Sequence, residues 1–306
     1  MSQSGTVEPA GLLDPRVLAT IRDLRIVARR ALEGLYAGQH RSSVKGSGLE
    51  FSQYRNYTPG DDPRRVDWKL FARSDRYFVR EDYRESQLEL WLLLDITGSM
   101  LQVSEEIEGW RRLDCARCLA ASLAWVAAEH GDAVGLLTLG GPRISLVPPG
   151  TGRAQVDRLC HELAAVEAGG VRPVASQLDA LWNRLRRPGM LVVISDFLGD
   201  KEDIGEMAVK LAAGGMDTIA LQLLTRAEVE FPYHGGLRLR DPETGRYCEI
   251  DADRVRAGYL RRFAAARERL ERALLAAGVE HHRMLIEQPL DRTLWKILRY
   301  RQEKAY

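Results

Sequence analysis

Two unbroken apolar runs, each closed by an aspartate, constrain this chain more than any other feature. Leu90-Trp91-Leu92-Leu93-Leu94 runs into Asp95, and Met190-Leu191-Val192-Val193-Ile194 runs through Ser195 into Asp196. A strand with one face in water alternates apolar and polar residues. A run without a polar break instead predicts a strand covered on both faces, the usual setting of a parallel sheet. Thr218–Leu224 reads as a third strand of this kind. Helical spacing appears over Arg112–His130, stopped by Gly131, and over Arg153–Val166, Ser176–Arg186, Ile204–Ala213, Val255–Ala277 and Arg292–Tyr300. Ala133–Leu139 and Ile144–Val147 predict a hairpin through Gly140-Gly141-Pro142. Leu237–Arg240 and Tyr247–Ile250 predict another, and Val279–Ile286 a last strand. Strands alternating with helices predict an α/β fold: a mostly parallel sheet with helices on both faces.

The 306 residues exceed an ordinary single domain. The reading is an N-terminal helix and loop/strand segment over residues 1–86, joined to an α/β domain over 87–306. Asp14-Pro15 opens the N-terminal helix, with apolar residues at Leu18, Ile21, Leu24, Ala28, Ala31 and Leu35. Leu49–Tyr57 leads into the turn Thr58–Pro63, too rich in proline for regular structure. Arg76–Glu85 and Leu88–Asp95 predict two strands meeting at a tight turn. The charges nearly cancel, 44 Lys+Arg against 43 Asp+Glu, so no global field draws the chain to nucleic acid or to an acidic membrane. The arginine clusters Arg111-Arg112, Arg184–Arg187 and Arg261-Arg262 lie on amphipathic helices beside acidic residues and read as solvated faces. Cys115, Cys118, Cys160 and Cys248 are too scattered for a disulfide framework and are expected as packed, reduced thiols. Met1–Ala10 lacks an apolar leader, and Cys118–Ala128 is far shorter than the ~20 residues of a spanning helix; a cytoplasmic location is expected.

In open α/β sheets ligands bind beyond the carboxyl ends of strands. There, Asp95, Thr97 and Ser99 alternate in the loop after the first apolar run, and Asp196 ends the second. If the two strands are neighbours, two carboxylates and two hydroxyls converge. Such an all-oxygen set suits a hard cation such as Mg²⁺ and suits zinc or copper poorly. A purely structural reading is also open, in which the aspartates cap loops and the hydroxyls start a turn. An alternative in chemistry is Mg²⁺-dependent phosphoryl transfer from an aspartate at a strand end. The residue two positions on would then be the acid/base, and here it is Thr97, a poor proton shuttle; a G-x-x-x-x-G-K-[ST] phosphate loop is also missing.

Asp95-Ile96-Thr97-Gly98-Ser99-Met100 resembles the metal-ion-dependent adhesion site of von Willebrand factor A domains, usually D-x-S-x-S. The resemblance implies a von Willebrand factor A-like, Rossmann-type fold holding Mg²⁺ or another divalent cation. Thr97 and Ser99 would bind the metal directly, Asp95 would act through hydrogen bonds and water, and Asp196 would complete the site. Ser176, in Val174-Ala175-Ser176-Gln177-Leu178, stands where that family has a loop threonine. The open metal position would take a carboxylate from a protein partner. A second resemblance covers nearly the whole chain. Gly46-Ser47-Gly48-Leu49-Glu50-Phe51, Arg55-Asn56-Tyr57, Pro59-Gly60-Asp61-Asp62, Arg64, Val66-Asp67-Trp68 and Ala72-Arg73 look like the hallmark of the bacterial domain of unknown function 58 family. That family implies a von Willebrand A-like domain after the signature and a MoxR-type AAA+ ATPase as partner. The expected role is a non-enzymatic adaptor in the assembly or activation of a protein complex, with neither nucleic acid nor membrane insertion. Within the signature, Phe51, Tyr57 and Trp68 are expected as buried anchors ringed by Arg55, Arg64, Asp61, Asp62 and Asp67, in a segment without a ladder of its own.

Overall fold

The computed structural model describes residues 51–57, 66–74, 76–82, 89–141, 144–169, 185, 189–198, 204–241, 245–290 and 294. The helices expected over 14–35, Ser176–Arg186 and Arg292–Tyr300 fall outside these residues except for Leu185 and Leu294, as does the turn Thr58–Pro63. In chain order the elements are β1 (Phe51–Asn56), α1 (Trp68–Ser74), β2 (Phe78–Asp82), β3 (Glu89–Asp95), α2 (Arg112–Glu129), β4 (Ala133–Leu139), β5 (Leu146–Gly150) and α3 (Gly152–Ala165). They continue with β6 (Met190–Ser195), α4 (Ile204–Ala213), β7 (Asp217–Leu224), α5 (Arg226–Glu230), β8 (Gly236–Arg240), β9 (Tyr247–Asp251), α6 (Ala252–Ala276) and β10 (Glu280–Leu285).

Six strands make one sheet in the order β10-β7-β6-β3-β4-β5. Every neighbouring pair is parallel except β4 and β5, the hairpin anticipated from Gly140-Gly141. Numbered along the sheet's own strands, this is the doubly wound order 3-2-1-4-5-6, with crossovers on both sides of the central strand β3. The apolar runs now have their cause. Leu90, Leu92 and Leu94 of β3 join Val192 and Ile194 of β6 in a layer under α2 and α3, with Ala116, Leu119, Ala120, Leu159 and Leu163. Trp91 and Leu93 join Leu191 and Val193 on the opposite face, against Met207, Ala208 and Leu211 of α4 and Leu274 of α6. Successive side chains of a strand point to opposite faces, so a sheet covered twice needs an apolar residue at every position. Gly135, paired with Trp91 across β3–β4, makes room for the indole: a Cβ there would lie 2.9 Å from a Trp91 ring carbon.

The N-terminal segment departs from expectation. β1 and β2 form an antiparallel two-stranded ladder, and Asp67 opens α1 by accepting the Leu70 amide at 2.9 Å. Arg76–Glu85 therefore contributes a strand that pairs back with β1 and makes no hairpin with β3, whose edges are taken by β4 and β6. Trp68 is 58% exposed, so it is not the buried anchor expected; it meets Phe71 and Tyr77 edge-on, while those two rings stack at 4.4 Å. All four cysteines are free thiols. Cys115 and Cys160 are buried as expected, whereas Cys248 is exposed on the β8–β9 ribbon. Among the described residues no helix is long and apolar enough to cross a membrane.

Leu92 lies at the middle of β3 with no exposed surface. Leu92→Ala is expected to lower the unfolding free energy by about 2–5 kcal/mol, the range for a large-to-small change in a packed core. Urea denaturation followed by circular dichroism checks this, and a loss under about 1 kcal/mol would contradict the doubly covered placement of β3.

Candidate functional site

β3 and β6 are neighbours in register, with Leu94 opposite Ile194, so Asp95 and the Ser195-Asp196 pair leave the sheet at the same rim. Both aspartates are 2% exposed. The Asp95 carboxylate is fully engaged: Oδ1 accepts the Thr97 amide at 2.9 Å, and Oδ2 accepts the Ser195 hydroxyl at 2.6 Å. Ser195 Oγ in turn accepts the Phe197 amide at 2.9 Å, which ties the two loops together. Beyond Thr97 the chain makes one 3-10 turn over Gly98–Leu101, and this turn sets Thr97 Oγ1 and Ser99 Oγ 3.0 Å apart. Gly140, at φ +92°, lets the end of β4 pass against this loop. A Cβ there would sit 2.3 Å from Thr97 Cγ2 and 3.0 Å from Thr97 N.

Asp196 is held from three sides. Its Oδ1 accepts the Leu198 amide at 3.0 Å, its carbonyl accepts Gln222 Nε2 from β7 at 2.9 Å, and its Oδ2 accepts Arg112 Nη1 at 2.5 Å. Arg112 begins α2 and is 1% exposed. Nη1 also donates to the Ser99 carbonyl at 3.1 Å, and Nη2 donates to Glu228 Oε2 at 2.5 Å. Glu228 closes a capping box at the start of α5, where its Oε2 also accepts the Thr225 amide at 2.8 Å and the Thr225 hydroxyl at 3.1 Å. The rim is thus a chain of partners, Asp95–Ser195 on one side and Asp196–Arg112–Glu228 on the other, around the hydroxyl pair.

Of the residues expected at the site, Asp95, Thr97, Ser99 and Asp196 meet at this rim, while Ser176 lies outside the described residues. Among the described residues no group of three or more His, Cys, Asp or Glu is arranged to hold a metal. Any ion here would therefore lean on the hydroxyls. The two hydroxyls hydrogen-bond to each other at 3.0 Å, a spacing that also matches adjacent vertices of an octahedron with 2.0–2.1 Å bonds, about 2.9 Å apart. The sequence reading missed Arg112, Ser195 and Glu228. Arg112 is a correction, since it was taken for part of a solvated face and is buried against Asp196.

The family described as "Protein of unknown function DUF58" matches residues 53–269, from within β1 to within α6. The chain belongs to this family. Uncharacterized protein Rv1480 of Mycobacterium tuberculosis and uncharacterized protein Mb1516 of Mycobacterium bovis are each 32% identical to it over 269 residues, covering 87% of this chain and 83% of theirs. Solved structures similar in architecture include the conserved hypothetical protein BatB from Bacteroides thetaiotaomicron, with a TM-score of 0.42 and 15% identity over 71% of this chain and 98% of that one. The VWA domain of SpRpn10 is another, with a TM-score of 0.38 and 11% identity over 68% and 94%. The sheet order and crossovers of this DUF58 chain are those of a doubly wound, mostly parallel α/β fold.

Burial drives the Asp95 carboxyl from 3.8 up to about 6, and the negative charge of Asp196 pushes the same way; hydrogen bonds from Ser195 and Thr97 pull it back. For Arg112, burial acts to lower the pKa, but Asp196 and Glu228 together outweigh it and raise it. A carboxyl whose folded pKa lies above its unfolded value binds its proton more tightly in the folded state. Its contribution to stability is complete below about 3.8 and is lost as pH rises through about 6. In EDTA, the wild type is therefore expected to lose about 2–3 kcal/mol of stability relative to Asp95→Asn between about pH 4 and pH 7. Urea melts of the two proteins at several pH values measure this difference; a constant offset would show that Asp95 titrates at its ordinary value.

Proposed function

We propose that this DUF58 protein is a non-enzymatic interaction module that holds Mg²⁺ or another divalent cation at the β3–β6 rim to engage a carboxylate of a protein partner. The observation that carries the reading is the hydroxyl pair of Thr97 and Ser99, 3.0 Å apart beside two buried aspartates. Thr97 and Ser99 would be the direct ligands. Asp95, with both oxygens already accepting hydrogen bonds, would serve through water and by fixing the loop. When bound, the ion supplies an electrophilic position open to an anionic oxygen. The chain's own residues do the rest. The Thr97 amide and Ser195 hold the Asp95 carboxylate still, Gly140 lets β4 brace the loop, and Leu101, Val103 and Ile107 expose apolar surface just after the loop, as the centre of a protein interface does.

Phosphoryl transfer is the weaker reading. An attacking aspartate must reach its substrate, and Asp95 is 2% exposed with a hydrogen bond on each oxygen; the acid/base position is Thr97, whose hydroxyl faces Ser99. The partner we favour is a MoxR-type AAA+ ATPase acting in assembly or activation of a protein complex. What supports it is the resemblance of the stretch Gly46–Trp68 to the family's hallmark, in a chain whose family match spans residues 53–269.

A pull-down from the native host, with mass-spectrometric identification, tests the reading in Mg²⁺ and in EDTA. An AAA+ ATPase or its client is expected with the wild type in Mg²⁺, reduced at least about tenfold by EDTA or by Asp95→Ala, a loss of about 1.4 kcal/mol or more. Equal recovery in every arm would reject the metal-assisted grip. Turnover of an aryl phosphate that Asp95→Asn abolishes would replace the proposal with the enzyme.

A further inference from the structure

We propose that Arg112 is a built-in cation that sets how tightly the rim holds a divalent ion, a step that rests on the metal-holding reading above. Its guanidinium is 1% exposed and is shared by two carboxylates, with Nη1 2.5 Å from Asp196 Oδ2 and Nη2 2.5 Å from Glu228 Oε2. Nη1 also touches the carbonyl of Ser99, so the positive charge sits against the hydroxyl loop itself. Its Nε is buried with no hydrogen-bond partner among the described residues, so the guanidinium is positioned by the two acids and not by full satisfaction of its own donors. A buried charge with solvent excluded acts on its neighbours with little screening.

The consequence follows from counting charge. Three carboxylates, of Asp95, Asp196 and Glu228, stand around one guanidinium, which pairs with Asp196 and Glu228. A divalent ion beside that set meets less negative charge than the acids alone would supply, and so keeps more of its attraction for a carboxylate ligand. With residue 112 neutral, one positive charge fewer would oppose the ion, which would bind more tightly and attract a ligand less. Glu228, 18% exposed, shares the guanidinium with Asp196 at the same 2.5 Å and so moderates the competition. Arg112 therefore exchanges metal affinity for ligand affinity, and Glu228 adjusts the exchange.

The test is a Mn²⁺ titration of the full chain at about pH 7.5, with free ion read by electron paramagnetic resonance and folding checked by circular dichroism. Arg112→Gln is expected to tighten Mn²⁺ by about tenfold or more, and Glu228→Gln to weaken it by about three- to tenfold. Arg112→Lys, which keeps the charge, is expected within about threefold of wild type. If Arg112→Gln fails to fold, Glu228→Gln and Arg112→Lys still decide the matter. Wild-type binding that neither Glu228→Gln nor Arg112→Gln alters would overturn the role of Arg112 and leave the metal site standing, and so would an Arg112→Lys affinity equal to that of Arg112→Gln. Binding by Arg112→Gln alone would support Arg112 as the competing cation while removing the metal reading for the wild type. Absence of binding in every protein would overturn both.

Discussion

The parallel pairing of β3 with β6 is the constraint on which the rest depends. Both strands are covered on two faces, so neither can slip by a residue without turning every side chain to the wrong layer. With register fixed, the ends of both strands are fixed too, and Asp95 and Asp196 meet although 100 positions separate Asp95 from its contact Ser195. The rim's precision is borrowed from the core. Loops alone would not bring two carboxylates and a hydroxyl pair together at one rim.

Such a rim carries an electrostatic cost. Two carboxylates buried at 2% exposure lose hydration that water would have supplied. The chain meets this with short, directed partners: a backbone amide and a serine hydroxyl for Asp95, a backbone amide and an arginine for Asp196. The two aspartates are treated differently. Asp95 receives only neutral donors and its carboxyl rises to about 6, whereas Asp196 has the guanidinium of Arg112 against it. Of these two neighbouring acids, one is held by neutral donors and the other by a guanidinium as well.

How much of this was legible in the sequence follows from which signals are local. The buried strands announced themselves because double coverage forbids polar residues, and the hydroxyl loop because Asp95, Thr97 and Ser99 alternate within five residues. Helix α4 announced itself too, because the residues it buries, among them Ile204, Met207, Ala208 and Leu211, recur at helical spacing. Arg112 was misread since nothing beside it marks it as buried. Its neighbour Arg111 is a surface arginine paired with Asp114 at i+3, while the partners of Arg112 lie 84 and 116 positions away. The β1–β2 ribbon was missed for a related reason: its pairing rests on backbone hydrogen bonds, which leave little pattern in side chains, and the proline-rich turn nearby suggested irregularity.

Glu228 joins two tasks in one atom. Its Oε2 accepts from the Thr225 amide, the Thr225 hydroxyl and Arg112 Nη2, while its carbonyl accepts the Tyr259 hydroxyl of α6 at 3.0 Å. The first turn of α5 is therefore a mechanical joint. The guanidinium and the cap share one oxygen, and Tyr259 joins the same residue to the longest helix among the described residues, so a substitution at Glu228 would touch all three.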